Sequence, residues 1–177
     1  MFRRNNVNED TSEEFAIIPR FEWSGTKIEL YETKDLPIRP ATIVYAASTH
    51  TGPCFDPLFC EGTLRFLQHK HFSRFPTDIR FNFMIGGDGR VYEGRGWMTP
   101  PRLAAFAVAD AMRSILIGFV GMYKEDQLPD EMCSAANKLI EYGKRNNYIE
   151  QNCLYKSITD FTDKVGTPNP AEAKFVF

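Results

Sequence analysis

Phe81-Asn82-Phe83-Met84-Ile85 runs into Gly86-Gly87-Asp88-Gly89 and continues as Arg90-Val91-Tyr92-Glu93. Two β-prone stretches separated by a glycine-rich tetrapeptide predict a β-hairpin, with the glycines supplying positive φ in the turn. The same glycines resemble a phosphate cradle only loosely, because they lead into a second strand and not into a helix N-terminus. Asp88 and Glu93, straddling the turn, read as solvated acids.

Outward from the hairpin the pattern alternates between strand and helix. Upstream, Thr42-Ile43-Val44-Tyr45-Ala46-Ala47 is a compact apolar run suited to a buried strand. From Pro57 to about Phe72 the apolar residues Leu58, Leu64, Phe66 and Leu67 fall at helical spacing, and the segment closes on Gln68-His69-Lys70-His71. Downstream, Ser114 to Tyr123 is a second continuous apolar run and a candidate central strand. Pro129-Asp130-Glu131 opens a helix to about Arg145, with proline and acids where the backbone dipole favours them. Its apolar stripe is Ala135, Ala136, Leu139, Ile140 and Tyr142. Beyond Cys153 the chain reads as polar and irregular, and Glu22-Trp23 reads as exposed. Buried strands interleaved with amphipathic helices give an α/β domain. No internal repeat is present.

The 177 residues, 43% of them hydrophobic, suffice for one domain with a sizeable core. Residues 1–14 read as a polar linker or stalk remnant, and residues 15–177 as the domain. The 21 basic and 23 acidic residues leave a charge of −2, which argues against a nucleic-acid binder working by phosphate neutralisation. No apolar run approaches the ~18 residues of a membrane span, so no membrane contact is expected within this segment. Met1 to Glu14 lacks the apolar core of a signal peptide.

Cys54, Cys60, Cys133 and Cys153 allow three pairings or unpaired thiols. Cys54 and Cys60 flank a proline-bearing turn that could bring them into bridging range, closing a loop worth roughly 2 kcal/mol in the chain-entropy model. Cys133 and Cys153, on a helix and just beyond it, form a possible second disulfide. An oxidising, extracellular compartment follows from this usage. Neither Cys-x2-Cys nor a Cys/His pair at helical spacing is present, so no metal site is expected. His69 and His71 point to different helix faces and read as surface or packing residues, and His50 reads as a solvated turn residue. No nucleophile–base–acid arrangement can be assembled from sequence order alone.

The twenty residues Asp78 to Trp97 resemble the signature D-I-G-Y-N-F-L-I-G-G-D-G-R-V-Y-E-G-R-G-W of the peptidoglycan recognition proteins. Pro19-Arg20-Phe21-Glu22-Trp23 is similar to the family's S-R-x-E-W, and Gln68-His69-Lys70-His71 to its Q-x-x-H. Ser114 to Gly121 is similar to S-I-G-I-x-F-I-G, and Cys54 and Cys60 match the family's short disulfide. The resemblance spans about Ile17 to Tyr155. It implies an amidase-like fold, a central mixed β-sheet flanked by helices, with a groove for bacterial cell-wall stem peptides.

Catalytic members of that family are zinc amidases with two histidines and a cysteine on the metal and a tyrosine nearby. Three protein ligands and an open position let the ion activate water. Carried over by position, the first histidine is Ala47, the tyrosine is Phe81, the second histidine falls at Ser157 or Thr159, and the cysteine falls at Thr167. The resemblance therefore implies lost catalytic positions, no metal, no cofactor and no enzyme.

The groove motifs depart as well. Phe75 and Pro76 stand where the family carries Gly-Trp or Asn-Phe, Arg80 replaces the glycine of G-Y-N-F, and Leu116 replaces the glycine of S-I-G-I. Trp97 ends the signature and is a further groove candidate. Arg113 matches the arginine of members that read diaminopimelate peptides, a bidentate partner for a carboxylate. Arg102, Leu103 and Phe106 lie in or just before an apolar segment, Leu103 to Ala109, that is a candidate partner-contact surface. The expected role is a receptor ectodomain or signalling regulator in innate immunity, with an impaired groove. It would pair with another peptidoglycan recognition protein as a hetero- or homodimer. Direct binding of a diaminopimelate-type muropeptide is the alternative.

Overall fold

The computed structural model describes residues 15–24, 41–74, 78–102, 108–123 and 127–158. Phe75, Pro76, Leu103, Phe106, Thr159 and Thr167 lie outside the described residues. The elements are β1 (Ile17–Ile18), α1 (Arg20–Trp23), β2 (Ala41–Ser48), α2 (Pro57–Arg74), β3 (Phe83–Ile85), β4 (Val91–Glu93), α3 (Val108–Ala111), β5 (Ser114–Phe119), α4 (Asp130–Arg145) and β6 (Ile149–Ile158). One mixed sheet runs in the order β1-β4-β3-β5-β2-β6. Only β3 and β4, the expected hairpin, pair antiparallel. The other neighbours are parallel.

The sheet is covered on both faces, which explains its uninterrupted apolar strands. All six residues of β5 are buried and alternate between faces. Ile115, Ile117 and Phe119 pack with Val44, Phe83 and Ile85 against Met132, Ala136 and Leu139 of α4. Leu116 and Val120 join Met84, Tyr92 and Trp23 against Cys60, Leu64 and Leu67 of α2. Of the apolar positions expected to seat α2, Leu64 and Leu67 do so, but Leu58 and Phe66 point to solvent, 78% and 62% exposed.

Glycine serves the hairpin in two ways. Gly89 has φ +75° and supplies the expected left-handed turn residue. Gly86 and Gly87 supply space instead: a Cβ would lie 2.9 Å from Cys60 Sγ at Gly86 and 2.4 Å from Cys54 O at Gly87. The Cys54–Cys60 disulfide is formed, with Cα atoms 5.0 Å apart, and the turn docks against it.

Several expectations need correction. Trp23 is fully buried, its Nε1 donating to Glu93 O at 2.8 Å, whereas Glu22 is exposed. The chain beyond Cys153 continues as strand: β6 pairs in parallel with β2 through Leu154↔Ile43 and Tyr155↔Val44. Its polar residues fit an edge strand, with Gln151 and Asn152 exposed. Cys133 and Cys153 are free thiols. The Cys133 thiol instead approaches Leu128 O at 3.9 Å. Asp88 and Glu93 are engaged as well. Tyr92 donates its phenol to Asp88 at 2.6 Å, and Arg20 N–H donates to Glu93 at 3.1 Å. Burial, reinforced by that bond to Asp88, pushes the Tyr92 phenol well above its ordinary pKa.

Candidate functional site

The two described positions that the resemblance assigns to chemistry, Ala47 and Phe81, lie near the C-terminal end of β2 and against its neighbour β5. Ala47 sits opposite Gly118 of β5 and Ile158 of β6. The two residues after it carry hydroxyls, and both are already committed. Ser48 Oγ donates to Gly121 O, while Thr49 Oγ1 accepts the Gly121 N–H at 3.1 Å and lies 2.7 Å from Thr51 Oγ1. His50 follows with φ +54° and an exposed side chain, the solvated turn residue expected.

Phe81 is 2% exposed and packs against Gly118 of β5. A Cβ on Gly118 would come within 2.7 Å of its ring, so Gly118 is small because Phe81 occupies that space. The His71 ring lies 6.0 Å away, and His71 Nδ1 accepts the Arg80 N–H at 3.3 Å. Burial, with Arg80 and Lys70 nearby, lowers the His71 pKa to about 4. The unfolded chain then binds a proton near pH 6.5 that the folded chain refuses until about pH 4. Stability therefore falls as pH drops through that window, by about 2 kcal/mol between pH 7 and pH 5. His71→Gln is expected to flatten that part of the profile, as read by urea unfolding at the two pH values.

Donor chemistry at these positions does not suit zinc. Alanine offers no lone pair, phenylalanine no hydroxyl, and the hydroxyls of Ser48 and Thr49 are spent on the backbone. Among the described residues no group of three His, Cys, Asp or Glu is placed to share a metal ion. The other two positions implied for the metal, near Thr159 and Thr167, fall outside the described residues, and Ser157 is half-buried in β6.

The groove candidates separate into two sets. Leu116 is fully buried among Leu64, Met84 and Val120 and is core, not lining. Trp97 packs on the opposite face of the sheet, stacked on Tyr148 at 5.1 Å and set 4.4 Å from Phe83. It belongs with α4, where a Cβ at Gly143 would lie 2.7 Å from its ring. Both were expected in the groove, and sequence order alone could not tell which face each side chain takes. Arg80, Arg102 and Arg113 do come to one end of the sheet. Arg102 N–H donates to Arg80 O at 3.1 Å, and Arg113 immediately precedes β5. Arg102 and Arg113 are exposed, and Arg80 is half-buried.

Two buried polar centres hold this end together, and sequence reasoning assigned neither a role. Asn82 is fully buried. Its Oδ1 accepts the Leu116 N–H at 2.9 Å, and its Nδ2 donates to Gly96 O and Thr99 O, both at 2.8 Å. Asp78, 2% exposed, pairs with Arg20 and accepts from Gln68 Nε2 at 2.9 Å. Arg20 also donates to Gly94 O at 3.1 Å. Nearby, Arg95 donates to Pro100 O at 2.6 Å and to Ile79 O at 3.3 Å, and burial, with Arg102 and Arg20 close by, lowers its pKa to about 10. The readable signal was polar residues set among apolar ones, Asn82 between Phe81 and Phe83 above all.

A mixed sheet with helices on both faces, tied to a hairpin and a short disulfide loop, is the architecture of an amidase-like domain. Residues 38–160 match the family described as N-acetylmuramoyl-L-alanine amidase. The chain is 33% identical to peptidoglycan-recognition protein 3 of Holotrichia diomphalia over 140 residues, 77% of this chain and 71% of that one. Among solved structures it resembles bumblebee PGRP-SA, with a TM-score of 0.68 and 30% identity over 81% of this chain and 83% of the other. It also resembles a complex of tracheal cytotoxin with the ectodomains of peptidoglycan recognition proteins LCa and LCx. There the TM-score is 0.70, with 27% identity over 82% and 84% of the chains. The chain belongs to the peptidoglycan recognition protein family.

Proposed function

We propose that this is a non-enzymatic peptidoglycan recognition domain that works outside the cell. Its own groove is impaired, and it acts by pairing with a second peptidoglycan recognition protein, presenting ligand jointly or blocking a productive dimer. The observation that carries this reading is Phe81 packed onto Gly118 beside Ala47: phenylalanine brings no hydroxyl there, and alanine cannot hold zinc. The tracheal cytotoxin complex of the LCa and LCx ectodomains supports pairing as a mode of action in the family. Residues 1–14 suit a polar stalk leading to a membrane tether, and the Cys54–Cys60 disulfide suits an oxidising compartment.

A second reading is favoured by the three arginines at one end of the sheet. Arg80, Arg102 and Arg113 offer guanidinium partners to the carboxylates of a diaminopimelate-type muropeptide, which would make the domain a direct sensor. Isothermal titration of such a muropeptide separates the two. The first reading expects no heat from the folded domain alone and a ternary complex once a second recognition protein is added. Micromolar binding by the domain alone, weakened at least about tenfold in Arg113→Ala by loss of a charged hydrogen bond, would establish the sensor and overturn the impaired groove.

A further inference from the structure

Two side chains one turn apart on α2 tie the helix to the segment that leads into β3. Gln68 Nε2 donates to Asp78 Oδ1 at 2.9 Å, and His71 Nδ1 accepts the Arg80 N–H at 3.3 Å. Residues three apart share a helix face, so both ties are made from one side of α2. Their chemistry differs. The Gln68 amide does not titrate, whereas the His71 ring accepts a hydrogen bond only while Nδ1 is unprotonated. The neutral ring then carries its proton on Nε2.

Arg80 is in turn the anchor of the next loop. Arg102 N–H donates to Arg80 O at 3.1 Å, and Arg95 bridges the same two segments through Ile79 O and Pro100 O. The Arg80 peptide thus stands between α2 on its N–H side and the Arg102 loop on its carbonyl side.

We infer that His71 is an acid-sensitive latch on the arginine end of the sheet. While neutral it holds the Arg80 peptide against α2. On gaining a proton at Nδ1 it lets go of Arg80 and, through it, loosens the loop that carries Arg102.

A protonated ring is badly placed here. His71 is half-buried, with its ring centre 6.0 Å from that of Phe81. Arg80 in the facing segment, Lys70 and Arg74 on the same helix, and Arg95 and Arg102 across the Arg80 peptide are all positive, and His69 becomes so in acid. The one acid of the facing segment, Asp78, is taken by Arg20 and Gln68. The connection Phe75-Pro76-Thr77 carries no titratable side chain. Burial, with Arg80 and Lys70 adding to it, lowers the pKa of the held ring to about 4, against 6.5 for a released one. The released ring binds its proton first, so falling pH favours release. Between pH 7 and pH 5 that difference raises the opening constant about twentyfold.

Both readings of function use this end of the sheet, Arg102 as a partner contact or the arginines as carboxylate partners, and the latch regulates either. It is tested on the chain alone, so its failure and theirs are told apart.

The test is backbone amide exchange of the 177-residue chain at pH 7 and pH 5, read residue by residue by NMR, each rate divided by its unfolded-chain rate at that pH. Circular dichroism confirms that the chain is folded at both. Protection of Arg80 and Arg102 is expected to fall about twentyfold on acidification. Ile117, in the middle of buried β5, should stay better protected than either at both pH values. In His71→Gln the side-chain oxygen can still accept the Arg80 N–H but does not titrate, so the fall should shrink to less than about twofold. Three results overturn the latch. Arg80 and Ile117 could share one protection at each pH, so that Arg80 opens only when the whole domain does. The fall at Arg80 could persist in His71→Gln, which assigns it to another group. Arg80 could respond without Arg102, which severs the latch from the loop.

Discussion

Asn82→Ala is expected to destabilise the domain by about 3–5 kcal/mol, because three buried backbone groups lose the side-chain amide that pairs them. Leu116 N–H, Gly96 O and Thr99 O all bond to this one amide. The loss should not be purely global. Gly96 and Thr99 belong to the loop that carries Arg102, so hydrogen exchange in residues 96–102 should accelerate beyond the change in overall stability. Asn82→Asp makes the chemical point. It keeps the acceptor for Leu116 but turns an oxygen towards two carbonyls, and it should recover little of the loss. Urea denaturation of the three proteins gives the comparison. A loss below about 1 kcal/mol for alanine would mean that water replaces the amide.

Asp78→Ala is expected to cost a similar amount, about 3–5 kcal/mol, for an electrostatic reason. Removing one partner of a buried ion pair leaves the other charge uncompensated. Arg20 is 13% exposed and Asp78 is 2% exposed, so water can do little for the guanidinium left behind. Burial already lowers the pKa of Arg20, with Glu93 opposing that shift. The double variant Arg20→Met/Asp78→Leu should lose much less than the two single losses together, since a well-packed apolar pair replaces a buried salt bridge at little cost. Thermal unfolding of Arg20→Met, Asp78→Leu and the double variant completes the cycle.

Much of this fold was legible because periodicity reports directly on burial. The hairpin, the apolar run of β2 and the stripe of α4 each carry a repeat that only one kind of element satisfies. What stayed hidden was set by the other side of each contact. Trp23 looks exposed beside Arg20 and Glu22, and it is buried because Glu93 offers a carbonyl to its indole. The stretch from Cys153 to Ile158 is short and runs into polar sequence, so it reads as irregular, but it pairs along one edge of β2. The candidate site divides in the same way. The motif alone assigns Ala47 and Phe81 to the family's ligand and tyrosine positions, whereas the sides of the sheet taken by Trp97 and Leu116 depend on pairing register. A one-residue difference in register decides between groove and opposite core.

The way the N-terminal segment is tied down bears on how the chain reaches this state. Arg20 and Trp23 bond to Glu93 and Gly94, contacts separated by 70 to 74 residues of sequence. The parallel neighbours of β2 likewise arrive late, as β5 and β6. During synthesis, then, β2 waits for the last strand before its edge is closed. Topology of this kind slows folding, because loop-closure entropy must be met before distant contacts offset it. This strand remains open to wrong partners for most of that time. The short Cys54–Cys60 loop is the exception, a local closure available as soon as both cysteines have emerged. It can present the docking site for the Gly86–Gly89 turn, giving the hairpin a place to land before the rest of the sheet exists.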